Sequence, residues 1–341
     1  LAASGCASSA SSARPDPPTH AATTKAPTAQ LGVDVYWHTP ATAASVSAAA
    51  APVLDYVVSL NANSVALAFP IFTDGARPTR VYTDPASSPD PATLGALVAA
   101  AKARGLRVTV RPLIDETNIA STPGQWRGSI EPADPATWFA HYRSVLDPYL
   151  VAAQAAHADE FVLGAELNSL IAAPQWQDVL NDAAARFHGV LSYADNWDVW
   201  ARGEAPAAIP VIGLDAYPPL KLPDSATVDQ LAAAWTAWFQ HRSADTLQNT
   251  EIQEVGIPAQ AGAYQTPYSW GAGGGAIVPE IQQKWFAAAC QSARSLRMPG
   301  LYFWAVDSAD PMNGHSDAPG SIVGRGDSAI KACFADPWDV A

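Results

Sequence analysis

The sequence predicts an α/β protein, a single (β/α)8 TIM barrel behind a disordered N-terminal tether. Three observations lead there. Short β-branched or aromatic runs recur eight times, helical patterns separate them, and the first 30 residues share neither pattern.

The predicted strands are LGVDVY (31–36), SVALAF (64–69), LRVTVR (106–111), FVLG (161–164), GVLSY (189–193), PVIGLDAY (210–217), TEIQEV (250–255) and LYFWAV (301–306). Most are the near-continuous apolar runs of strands buried on both faces. Between them lie helical stretches such as 91–105 and 228–242. The first of these opens with Asp90 before Pro91, a cap followed by proline in the first turn, and stops at Gly105. A doubly wound sheet is the alternative, but no GxGxxG follows the first strand.

Residues 1–30 divide from the barrel domain, 31–341. LAASGC at the start resembles the end of a secretory signal with a lipobox, although Ala3 stands where leucine is usual, and Cys6 is the expected lipidation site. The Ser/Ala/Thr/Pro-rich stretch 7–30 reads as a tether. The expected location is therefore outside the cell, as an envelope-anchored bacterial lipoprotein or otherwise secreted. In that setting Cys290 and Cys333 are expected to form a disulfide, two buried free thiols being the alternative.

Composition narrows the partners. A hydrophobic fraction of 49% builds a large core, and only 15% of residues are charged. The net charge of −13 repels phosphate, which disfavours nucleic acid and anionic membrane surfaces. No apolar run reaches eighteen residues, so contact with a membrane is expected only through the lipid. The seven histidines form neither HxH nor HExxH, so no metal and no cofactor are expected.

Two glutamates carry the chemistry. Glu166 follows the apolar fourth strand and Glu254 ends the seventh, 88 residues later. In a barrel the C-terminal strand ends converge on one cleft, so both carboxyl groups should meet there. A salt bridge at the rim is the bland alternative for either, but it does not explain why both sit at the same end.

The stretches VYTDPASSPD (81–90), WRGSIEP (126–132), FVLGAELNS (161–169), LSYADNWD (191–198), GLDAYPPL (213–220) and EVGIP (254–258) resemble, in order, those of glycoside hydrolase family 113 in clan A, known for β-mannanases. The resemblance implies a retaining hydrolase of β-glycosidic bonds, most of all β-mannosidic ones. Glu166 would be the acid/base, Glu254 the nucleophile and Tyr217 the donor beside it. Many clan members have asparagine before the acid/base. Ala165 stands there instead, which removes one contact to a sugar 2-hydroxyl, a change that family 113 itself tolerates.

The chemistry of the residue types agrees. One carboxyl must be protonated to help the leaving oxygen and the other ionised to attack the anomeric carbon. Glu166, behind an apolar strand and near a second acid, is suited to a raised pKa. Sugars have apolar faces and hydroxyl rims, so aromatic platforms and planar polar groups are expected around the cleft. Tyr36, Trp37, Trp126, Arg127, Asn196, Trp197, Asp215 and Trp304 are the expected substrate contacts, with an oligo- or polysaccharide as partner. Asp34 and Asp115 are either mouth polar groups or subsite residues, and Asp310 and His315 either touch substrate or lie in a surface loop. The 271–276 glycine run lacks the lysine of a phosphate loop. Two other readings stay open: the same mechanism on another β-glycoside, and a non-catalytic, lipid-anchored glycan-binding barrel.

Overall fold

The computed structural model describes residues 28–341 apart from 271–274, 313, 315, 337, 339 and 341. Cys6, most of the expected tether, His315 and the core of the glycine run lie outside the described residues.

Eight parallel strands close into a barrel: β1 (Gln30–Tyr36), β2 (Ser64–Thr73), β4 (Arg107–Ile114), β5 (Glu160–Ala165), β6 (Val190–Asn196), β7 (Val211–Asp215), β8 (Ile252–Val255) and β9 (Gly300–Asp307), with β1 paired to both β2 and β9. A two-residue strand that the sequence pattern misses, β3 (Val81–Tyr82), pairs antiparallel with the end of β2. The barrel also takes in the last residues assigned to the tether. Gln30 starts β1, and Ala29 is buried with its carbonyl accepting from Asn63 Nδ2.

Helices pack around the ring because strand side chains alternate. Val33 and Val35, Val65 and Leu67, and Val108 and Val110 join the large apolar core. Their strand neighbours Asp34, Ala66, Thr109 and Arg111 belong to the opposite face, toward the barrel axis. The helix Pro91–Lys102 starts where Asp90 accepts a hydrogen bond from the Thr93 amide, 2.7 Å away. The helix Val228–Phe239 starts with a reciprocal Thr227–Gln230 capping box. The Cys290 and Cys333 sulfurs are bonded, joining the helix Pro279–Ser295 to the helix Asp327–Cys333.

Polar groups occupy part of the barrel interior. The Glu160 carboxylate accepts from Ser192 Oγ at 2.6 Å and Gln253 Nε2 at 2.8 Å, linking three strands. Elsewhere a small cluster of Ala68, Leu113, Val162, Ala165 and Ala194 packs against Tyr36 and Trp304. Among the described residues no helix is long and apolar enough to cross a membrane.

Candidate active site

A cavity of about 730 Å3 opens at the C-terminal ends of the strands, and both Glu166 and Glu254 line it. The barrel thus brings together the two carboxyl groups that are far apart in sequence.

Glu166 sits immediately after β5 with φ at +56°, a left-handed backbone that side chains other than glycine rarely adopt. Neighbouring bonds enforce it. The Glu166 amide donates to the Ala194 carbonyl at 2.9 Å, and the next amide, of Leu167, donates to Tyr193 Oη at 2.8 Å. Gly164 makes room for this corner: a Cβ there would stand 2.6 Å from Trp176. Burial pushes the Glu166 carboxyl up to about 7, with the anion of Glu254 adding to the rise and Arg127 and Arg111 opposing it. A group of that kind is half protonated near neutrality, the condition a general acid needs.

Glu254 is held in the opposite manner. Tyr217 Oη donates to its Oε2 at 2.5 Å, and Arg111 Nη2 donates to its Oε1 at 2.6 Å. Each oxygen therefore has a donor, one of them a charged guanidinium. The same Arg111 nitrogen donates to Asp215 Oδ2 at 2.5 Å. Asp34 lies close enough for Arg111 to act on it, and burial pushes both Asp34 and Asp215 well up. One guanidinium thus serves three buried acids, of which Glu254 alone lines the cavity.

Of the expected substrate contacts, Tyr36, Trp126, Arg127, Asn196, Trp197 and Trp304 line the cavity. Trp37 and Asp215 do not. Trp37 is 2% exposed and packs in the core, because alternation along the strand sends it away from the side that Tyr36 takes. Asp215 is completely buried beside Glu254, its register partner on β8, and meets Arg111 instead of solvent. Of the undecided acids, Asp115 lines the cavity and accepts from Tyr36 Oη at 3.1 Å, whereas Asp34 is fully buried. Asp310 accepts from Ser321 Oγ and the Asp307 amide, tying its loop together.

Sequence reading missed five participants: Arg111, Glu116, Asp198, Tyr268 and Trp270. Arg111 had a signal, a cation inside an apolar strand. Tyr268 and Trp270 had none, since they come from the long segment after β8. Tyr268 stacks on Trp197 with ring centroids 5.9 Å apart and planes 7° apart, and Trp270 meets Tyr217 edge-on. With Trp197 they form an aromatic wall suited to apolar sugar faces. Among the described residues no cluster of histidine, cysteine and acidic groups has the makings of a metal site.

The sequence model of Glycoside Hydrolase Family 113 matches residues 35–317. No curated protein sequence gives a significant match. Among solved structures, the complex structure of a GH113 β-1,4-mannanase aligns at a TM-score of 0.77 with 18% identity, covering 91% of this chain and 99% of that one. A GH113 β-mannanase from Alicyclobacillus acidocaldarius in complex with ManMIm aligns at 0.72 with 16% identity, covering 91% and 97%. A β-glucuronidase from Ruminococcus gnavus aligns at 0.59 with 10% identity, covering 90% of this chain and 50% of that enzyme. At these identities the structural likenesses establish the shared barrel.

Proposed function

We propose, on the premise that this chain belongs to glycoside hydrolase family 113 and is a glycoside hydrolase, that it cleaves β-mannosidic bonds of oligo- or polysaccharides with retention of configuration. The observation that carries this reading is the unlike setting of two carboxyl groups in one cavity, Glu166 desolvated and Glu254 held by Arg111 and Tyr217. In the first step a Glu254 oxygen attacks the anomeric carbon while the Glu166 proton passes to the departing glycosidic oxygen. In the second step Glu166 takes a proton from water, whose oxygen attacks the same carbon and releases Glu254. The mannanases that share the fold support mannose as the sugar.

The test is a screen of the purified protein against β-1,4-manno-oligosaccharides and aryl β-glycosides, with the first-formed product anomer read by NMR. Cleavage of the manno-oligosaccharides with the β-anomer appearing first is expected. An α-anomer first overturns retention. Turnover of other β-glycosides alone overturns the sugar, and no turnover of any overturns the catalytic reading in favour of a glycan-binding barrel.

The placement outside the cell rests on LAASGC, with lipid on Cys6 holding the barrel at the bacterial envelope. The protein isolated from its native membrane should carry that mass on an N-terminal peptide starting at Cys6. An unmodified Cys6, or cleavage elsewhere, refutes the anchor.

A further inference from the structure

We infer that Arg127 is a positioning residue for the proton-transfer steps, and that Glu116 is the group that aims it at Glu166. This rests on the assignment of Glu166 as acid/base and adds two residues to it.

The geometry is that of a clamped cation. Arg127 opens a short 3-10 turn, Arg127–Ser129, in the loop after β4. Glu116 Oε1 accepts from both its backbone amide, at 3.3 Å, and its Nε, at 3.1 Å, so one carboxylate fixes the base and the head of the side chain. The loop is braced further by the Trp126 amide, which donates to Ser129 Oγ at 2.9 Å. From this mount Arg127 Nη1 lies 3.8 Å from Glu166 Oε2, and both side chains line the cavity. That spacing is too long for a hydrogen bond and short enough for a strong charge interaction.

The reaction gives the cation a use. Donating its proton turns Glu166 from a neutral, largely desolvated acid into a poorly solvated anion, which persists through the glycosyl-enzyme until water arrives. Burial opposes that anion and Arg127 offsets the penalty. Glu116 partly neutralises Arg127, so the pull on Glu166 stays limited and the resting group can still hold its proton. Glu166 is faced by Arg127 and Glu116 from the loop after β4, Arg111 from β4, Tyr193 from β6, Asp215 and Tyr217 from β7 and the segment after it, and Glu254 from β8. Arg127 and Glu116 are the pair whose removal leaves the hydrogen bonds on Glu254 untouched.

The alkaline limb of kcat/KM reports the acid of the free enzyme, on whichever β-glycoside of the screen is turned over. Arg127→Gln should move that limb to higher pH, by about one pH unit, because the anion loses its cation. Arg127→Lys should restore much of the wild-type position. Glu116→Gln keeps an acceptor for the Arg127 amide and Nε but removes the negative charge, so its limb should move the opposite way, to lower pH. An Arg127 that only binds sugar would raise KM and leave the limb in place. Limbs that stay put in both glutamine variants, or that move in the same direction, overturn the inference. Glu166→Gln separates this from the underlying assignment. A limb that survives in Glu166→Gln belongs to another group and sinks the acid/base role. A limb that vanishes there yet ignores Arg127 and Glu116 sinks only the positioning role.

Discussion

Glu254→Ala should stop hydrolysis of every glycoside, good leaving group or poor, whereas Glu166→Ala should stop only the reactions that need a proton. The difference follows from what each carboxyl is held to do. In the proposed mechanism Glu254, which accepts from both Tyr217 and Arg111, bonds to the anomeric carbon, and among the described residues no other carboxyl lining the cavity has that pair of donors. Glu166, as the proposed acid, supplies a proton, which matters most when the departing group is another sugar. On an oligosaccharide its loss should cost roughly 10²–10⁴-fold in rate. With an activated aryl β-glycoside the first bond breaks without help, so glycosyl-enzyme should accumulate and a burst of phenol should precede slow turnover. Azide needs no base and should displace Glu254 from the accumulated intermediate, giving a β-glycosyl azide. In Glu254→Ala, azide can occupy the vacated α face and displace the aryl group directly, giving the α-azide. The two stereochemical outcomes identify the roles. Near-wild-type activity in both variants, or azides of the reverse configuration, would mean the roles are wrong.

The second large effect is on stability. Arg111→Met removes the one cation shared by Asp215, Glu254 and Asp34, and should destabilise the fold by about 3–5 kcal/mol, as loss of one partner from a buried charge pair does. The sign of its pH dependence is fixed. Without Arg111 the folded-state pKa values of Asp34 and Asp215, already raised by burial, rise further, so the folded chain binds more protons than the unfolded chain. Its stability then falls as pH rises. The loss should be largest at pH 8 and shrink toward pH 5, as read from denaturant midpoints of variant and wild type. Adding Asp215→Asn should recover part of it, because one of the crowded acids no longer needs a counter-charge. Equal stability of Arg111→Met and wild type at pH 8 would show that the acids are not held by this residue.

Much of this was legible in the sequence, for a physical reason. Strands buried on both faces are mostly apolar, so a carboxylate or aromatic hydroxyl at a strand's end stands out, as Glu166, Glu254 and Tyr217 do. What failed was the step from strand end to side-chain direction. Tyr36 and Trp37 are adjacent, and a strand cannot send both to one side. Trp37 went to the core. Asp215 had the right position but a different partner, since Arg111 comes from a strand 104 residues earlier and no local pattern announces their pairing. Tyr268 and Trp270 belong to a segment without periodicity, placed by contacts with Trp197 and Tyr217 that only the closed barrel creates. The length of β2 was also underread: Pro70 follows the predicted strand, yet β2 continues to Thr73.

The backbone at Glu166 has an evolutionary consequence. A left-handed conformation at a residue with a side chain costs of order 1–3 kcal/mol, and glycine would relieve it. The carboxyl is also desolvated, so selection for stability alone would discard this residue on two counts. A barrel of this line that stopped cleaving sugars and kept only a binding task would be free to drift to glycine or asparagine at 166 while keeping its aromatic wall. The identity of that single position, read across relatives, should therefore sort working hydrolases from retired ones before any assay is run.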